Sequence, residues 1–397
     1  MSAARGADGP GLLEVTAHRD LAHLSHLSHL SRADGLGTER WDALFGPRGF
    51  YSASPWLRHA QATAATAPYY FTAADGPEWV CALPAYPLEQ DTPYVFCSPG
   101  TVVDTLYRQA TGDDAPWAAG LMPALACGGR NPSHTKAGVA AGLGPRRQRE
   151  AVEAVVEAAE RQAWATGMES VSFLYVDEDD ELLRGVLRDA RYVALPGQTA
   201  YSLTVPQDGS FDSYLARFEQ PRRVKIKREL RALAEAGVSY RTRPLTEELI
   251  DQVAPLEMAL YARHGTTANP AAFRAVFDSI AANAADAARV TTAHRDGALI
   301  GFVLTFTHGG EMYARQAGFD YEAQGKLPVY FGLVYYELLR IALAEGMSHL
   351  HYSTGSDRVK LSRGCTPRRQ YAYLKARRPE QAEHLARLAR LAGPGHN

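Results

Sequence analysis

Six of the ten residues from Arg222 to Arg231 are Lys or Arg, in a chain whose formal net charge is only −2. Pro221 stands just ahead of them, where a helix starts well, and Gly237 stands where one would stop. At helical spacing Ile226, Leu230 and Leu233 form an apolar stripe, and Arg223, Lys227 and Arg231 form a row one face away. One side would pack and the other would present charge. Arg222, Arg223, Lys225, Lys227, Arg228 and Arg231 suit phosphate oxygens, each cation releasing counterions condensed on a nucleic-acid backbone. A solvated helix face with Glu229 and Glu235 as partners accounts for the same residues without a ligand.

Other chemistry-bearing residues are less specific. His23, His26 and His29 recur every three residues in a Leu-Ser background and could gather a metal on one helical face, but low complexity is the reading kept, and no metal is expected. Cys81, Cys97, Cys127 and Cys365 include no CxxC pair, so they fit neither a disulfide framework nor a zinc site and point to a reducing compartment. His264, His308, His349 and His351 have no nucleophile beside them in sequence, so no catalytic triad is legible. Gly138, Gly142 and Gly144, followed by Arg146 and Arg147, form a Gly-rich run, weak evidence by itself for a phosphate cradle.

The elements that must hold such residues are written twice. One copy runs from Glu150 through Gly167-Met168 into the apolar strand Val171–Tyr175; the other runs from Tyr335 through Gly346-Met347 into Leu350-His351-Tyr352. The two stop glycines lie 179 residues apart, about one α/β domain, and each would accept a left-handed helix cap. Beyond the strand the copies diverge: the first continues into an acidic run, Asp177 to Glu181, and the second into Ser353-Thr354-Gly355-Ser356-Asp357 leading to Lys360 and Gly364. Chemistry is therefore expected in the second half. Asp75-Gly76 and Asp296-Gly297 each precede an apolar run and predict tight hairpins. The second half then reads helix (247–262), helix (270–285), strand, strand, long helix (329–344), strand, which is α/β on a mixed sheet. Leu385, Leu388 and Leu391 predict a C-terminal helix docked by a narrow stripe.

At 397 residues the chain is too long for one core. The expected division is 1–38 as a low-complexity segment, 39–207 and 208–378 as domains, and 379–397 as a helix and tail. A hydrophobic share of 46% with 22% charged residues supports an ordinary core in each half. The N-terminal residues lack a basic start followed by an apolar run, and no stretch approaches the length of a membrane span, so a cytoplasmic location is expected.

The segment Phe211–Arg217 with Arg222–Arg231 and Ala236-Gly237-Val238 resembles the start of a BioF2-like, Fem-type acyltransferase domain. Its far end is similar too: a long helix, Gly346, a strand, the turn at Gly355, then Lys360 and Gly364. The resemblance covers about 200–375 well and, more weakly, the whole chain as tandem acyl-CoA N-acyltransferase (GNAT) domains, the first degenerate. It implies acyl transfer to an amine, hydroxylamine or hydroxyl of a small acceptor, with the aminoacyl group drawn from aminoacyl-tRNA or, alternatively, an acyl group from coenzyme A, and no resident cofactor. The seryl-tRNA-dependent enzyme of valanimycin assembly is an analogue by fold, and antibiotic or peptidoglycan-type biosynthesis is the expected setting. A non-catalytic scaffold for RNA or cell-wall precursors is the reading from another class.

On the same resemblance Lys360 is the cation that stabilises the oxyanion. Asp357 and Glu311 could hold the amine or take its proton, and Tyr313, Arg315, Tyr330, Tyr352 and Gly355 lie where acceptor or acyl group would sit. Coenzyme A relatives bind pyrophosphate with a Gln/Arg-x-x-Gly-x-Gly/Ala loop. No register of Gln316 to Pro328 satisfies that pattern, which together with the basic helix favours aminoacyl-tRNA.

Overall fold

The structure, a computed structural model, describes residues 13–22, 36–130, 134–263 and 269–393. The His-Leu-Ser tract and His264 lie outside them. The chain forms two compact units, neither continuous in sequence. One gathers the chain up to Ser54, Ala64–Gly197 and the stretch from Gln370 onward; the other gathers Pro55–Thr63 and Gln198–Arg369. The boundaries expected from sequence, each domain a single stretch, differ from these because strand pairing between distant segments decides the units.

The strands in chain order are β1 (Glu14–His18), β2 (Tyr69–Asp75), β3 (Glu78–Leu88), β4 (Ala124–Cys127), β5 (Gly138–Val139), β6 (Ser170–Asp177), β7 (Val193–Thr204), β8 (Ser239–Pro244), β9 (Ala288–Arg295), β10 (Ala298–His308), β11 (Glu311–Phe319), β12 (His349–Thr354) and β13 (Thr366–Ala376). In the first unit the order is β1-β2-β3-β4-β6-β13, and in the second β7-β12-β11-β10-β9-β8. Both Asp-Gly turns form the expected hairpins, and Asp296 (φ 50°) and Gly297 (φ 81°) both take the left-handed conformation that a two-residue turn of matching twist needs. The Gly-rich run is structural at its start, where Gly138 begins β5 against Cys81 and Ala82 of β3.

The duplication holds down to single hydrogen bonds. Gly167 (φ 78°) and Gly346 (φ 65°) end their helices, and the next N–H reaches back in each, Met168 to Ala163 O and Met347 to Ala342 O. Glu169 N–H then bonds Pro123 O, as Ser348 N–H bonds Gly310 O. Each copy sends its strand parallel to the preceding one, β6 beside β4 and β12 beside β11.

Two elements differ from expectation. β8, read Ser-Tyr-Arg-Thr-Arg-Pro, ends its sheet order and is polar along its length, so no apolar alternation announced it. The helix expected over 329–344 is interrupted: Val329–Phe331 and Leu338–Ala344 are α-helical, and Gly332–Glu337 between them is a π-helix. The core of the second unit lies between this interrupted helix and one sheet face, with Met312, Leu350 and Tyr352 turned into it.

Candidate active site

β11 and β12 pair only over Glu311–Tyr313 and His349–His351, although β11 runs on to Phe319 and β12 to Thr354. The strands part beyond Tyr313 and His351. Irregularities flank the parting on both sides. The β10–β11 register slips where Leu304 and Thr305 face Gln316 and Ala314, leaving Arg315 as the extra residue, and the β12–β7 register slips between His351 and Thr354. Ser353 there has φ 55°. Paired bulges at one parting re-aim side chains and leave backbone groups for something other than the ladder.

Lys360 answers for two of those groups. Its Nζ donates to the carbonyls of Ser353 (3.1 Å) and Thr354 (2.7 Å) and lies 5.2 Å from the centre of the Tyr201 ring. The lysine is carried by the short helix Asp357–Leu361, reached through Gly355 (φ 75°) and Ser356 (φ 55°), and is only 5% exposed. Burial pulls its pKa down to about 8, with Cys365 and Asp357 opposing the shift. Asp357 is exposed in the first turn of that helix, and burial, with the Asp357 charge, raises the Tyr201 hydroxyl above its usual range.

A second cluster occupies the opposite sheet face. Glu311, buried, accepts hydrogen bonds from His351 Nε2 (2.8 Å) and the Tyr313 hydroxyl (3.1 Å), and His349 Nδ1 lies 3.3 Å away. The His351 and Tyr313 rings stack at 4.4 Å, 7° from parallel. Burial alone would raise the Glu311 pKa, but the hydrogen bonds and charge of His351, with Tyr313 and His349, outweigh it and hold the carboxyl below its usual range. Arg315 lies over the Trp56 ring (5.4 Å), and Glu257, buried on the helix Glu247–Arg263, accepts from Gln316 Nε2 at 3.0 Å. Burial lifts the Glu257 carboxyl to about 7. Glu257 and Trp56 were not candidates from sequence, and His349 and His351 were read there only as histidines without a triad. The signal available was the alternation His349-x-His351 on a strand parallel to one carrying Glu311, which a single local segment does not display.

Tyr352 and Tyr330 are on the helix side instead. Tyr352 stacks on Tyr335 at 4.8 Å and donates to Val334 O, and the Tyr330 and Tyr335 hydroxyls meet at 3.3 Å. The residues named from sequence therefore separate: Tyr330 and Tyr352 pack on the helix side of the sheet, Tyr313 and Arg315 lie with Glu311 on the other, and Gly355, Asp357 and Lys360 follow the end of β12 in a turn and short helix.

The basic helix spans Gln220–Glu235, with Ile226, Glu229 and Leu233 buried. Lys225, Lys227, Arg228 and Arg231 are exposed, and among the described residues no carboxylate pairs with any of them. Arg222 is half-buried, and Arg223 is tied down by its bond to Phe218 O (2.6 Å). Glu229 does not serve the basic face, contrary to the solvated-face expectation: it points inward, accepting from Arg363 Nη2 (3.0 Å to each oxygen) and from the Tyr336 hydroxyl. The physical reason is spacing, since Glu229 lies three residues after Ile226 and four before Leu233, on the apolar stripe.

The corresponding parting in the first unit is filled by its own chain. Beyond the β4–β6 ladder Thr135 bridges Val176 and donates its N–H to Tyr175 O (3.0 Å). Asp177, from the acidic run, is buried there and accepts from Gln370 Nε2, with His134 Nδ1 2.8 Å away. Among the described residues no cluster of three or more His, Cys, Asp or Glu is placed for a metal ion, and no helix is long and apolar enough to cross a membrane.

Residues 137–389 match the profile of the FemAB-like family, described as peptidoglycan biosynthesis/recognition. The chain belongs to the FemAB-like family. No curated protein sequence matches it. Its fold is shared by FemX (11% identity, TM-score 0.58, covering 94% of this chain and 99% of that one). A tandem GNAT protein from the clavulanic acid biosynthesis pathway is similar at 16% identity and TM-score 0.52, over 93% and 99% of the two chains. A conserved protein from Bacteroides thetaiotaomicron aligns at 12% identity and TM-score 0.54, over 91% and 100%. This FemAB-like chain thus has the tandem-GNAT fold, with α/β units on mixed sheets as expected.

Proposed function

We propose that this FemAB-like protein moves an aminoacyl group from aminoacyl-tRNA to the amine, hydroxylamine or hydroxyl of a small acceptor. The observation that carries the donor is the exposed face of Lys225, Lys227, Arg228 and Arg231, none of which pairs with a carboxylate among the described residues, Glu229 being committed to the interior. Unneutralised cations along one helix face suit a phosphate backbone. The turn after β11 supports the same choice. The amides of Glu322 and Ala323 are already taken by the Asp320 carboxylate (3.1 and 2.9 Å), a negative group where a coenzyme A pyrophosphate would need free donors.

In this reading the acceptor nitrogen or oxygen attacks the ester carbonyl at the parting of β11 and β12. The bond to the new acyl acceptor forms, the bond to the tRNA ribose oxygen breaks, and the proton lost by the nucleophile ends on that ribose oxygen. Lys360, mostly protonated at neutral pH, has a third N–H left for the developing oxyanion after its two bonds to β12 carbonyls. Glu311 and His351 hold the acceptor from the opposite face and shuttle its proton.

The test is binding of the purified protein to bulk aminoacylated tRNA, with uncharged tRNA and coenzyme A as competitors. Salt-sensitive binding that prefers charged tRNA supports the donor. Competition by coenzyme A with no response to tRNA hands the site to the acyl-CoA alternative. Binding of tRNA that survives Lys360→Ala without any transferase turnover in the parent protein leaves the scaffold reading.

A further inference from the structure

The buried ion pair between Glu229 and Arg363 joins residues 134 positions apart and is not used by the chemistry above. Arg363 is 1% exposed and its guanidinium lies 3.9 Å from the Phe331 ring centre. Its backbone is fixed as well: its N–H donates to Lys360 O (3.0 Å) and its carbonyl accepts from the Tyr214 hydroxyl (3.1 Å). Cys365 N–H reaches the same Lys360 carbonyl (3.1 Å). The segment carrying Lys360 is therefore closed into a tight turn whose Arg363 side chain is gripped from the basic helix. Tyr336, in the π-helical stretch, donates to the same Glu229, and Gly332 of that stretch has no Cβ because Leu233 and the Tyr240 hydroxyl stand 2.4 Å from where it would be.

We infer that Glu229 is a positioning residue, holding Arg363 and through it the turn that aims Lys360 at the β12 carbonyls. The inference rests on the reading of Lys360 as the reacting cation. A buried ion pair contributes little net stability compared with apolar residues of the same size, whereas it fixes geometry through directional bonds. One helix thus presents its cations outward to the donor and pins the reacting lysine from within, so donor docking and Lys360 placement share a single rigid element.

The experiment is competitive acetylation of the full chain by acetic anhydride, reading Lys360 by peptide mass spectrometry against exposed Lys326 in the same molecule, across pH 6 to 10. In the parent, Lys360 should label slowly, with a midpoint near its depressed pKa of about 8. In Glu229→Gln its labelling relative to Lys326 should change by about tenfold, the size of one pKa unit. Tyr336→Phe, which deletes a single hydrogen bond, should fold normally and shift the ratio in the same direction by about twofold. An unchanged Lys360 ratio in folded Glu229→Gln, or in Tyr336→Phe should the first variant not fold, overturns the inference and leaves the pair a structural contact. Aminoacyl-tRNA binding by Glu229→Gln should stay within about twofold of the parent, because the exposed cations are intact. Absence of tRNA binding in the parent would sink the donor reading alone, since the labelling experiment uses no tRNA.

Discussion

Lys360 has a testable pH signature. With a pKa near 8, the cation is present at pH 7 and is lost as pH rises through 8, so transferase kcat/KM should fall on the alkaline side. Lys360→Arg, which stays charged, should abolish that descending limb, and Lys360→Ala should lower kcat by about 10²–10³, the usual loss of an oxyanion donor. A limb that persists in the arginine variant would assign it to another group. Glu257 gives a stability signature of the opposite kind. Its folded pKa, about 7, lies above its unfolded value, so the folded state binds the extra proton and stability declines as pH rises from roughly 4.5 to 7. Glu257→Gln should therefore stabilise the protein at pH 8 by up to about 3 kcal/mol, and by little at pH 5, in paired thermal melts. Equal shifts at both pH values would refute it.

At the scale of elements, the helix Glu247–Arg263 lies directly on β11 at Gly318, where an added Cβ would stand 2.4 Å from Leu256 C and Glu257 N. Those are backbone atoms and cannot step aside. Gly318→Ala should cost on the order of 1–3 kcal/mol and disturb the Gln316–Glu257 bond, lowering the melting temperature and altering its dependence on pH. A neutral Gly318→Ala in denaturant titration would mean the helix can lift. Elements were legible where local chemistry dictated them. Asp296-Gly297 demanded a left-handed pair, Gly346 a helix cap, and Pro221 a helix start. β8 was illegible because an edge strand that is polar along its length has no period to read. The π-helical stretch was illegible because no local residue marks it, and the partners its Tyr335 and Tyr336 meet, Tyr352 and Glu229, come from distant segments.

For the whole molecule, the return of the chain end has a direct consequence. Tyr373 and Leu374 of β13 are buried, and the strand pairs β6 from Gln370–Asp177 to Ala376–Ser170. A chain ending at Arg369 should therefore lose the first unit's cooperative folding, visible as exposed hydrophobic surface and loss of one thermal transition. A native-like first unit in that truncation would show β13 to be dispensable. Donor binding should also read as a local field in a molecule with net charge −2. Each cation removed among Lys225, Lys227, Arg228 and Arg231 should reduce the slope of log K against log salt by about 1. Substitution of these four residues that leaves the slope intact would move the RNA surface elsewhere.

What the sequence determined by itself was everything encoded over a dozen neighbouring residues: the α/β class, the repeated helix–glycine–strand unit, the hairpins, the basic helix and its apolar stripe. Turn dihedrals, caps and periodicity are local physics, so they show in local text. Only the tertiary structure decided that Glu229 faces Arg363 and not its cationic neighbours, that His351 rests on Glu311, that Tyr352 and Tyr313 lie on opposite faces of one sheet, and that the last strand belongs with the first unit. Each of these depends on pairing between segments 38 to more than 190 residues apart. Register and burial choose those pairs, and neither is written in any one segment.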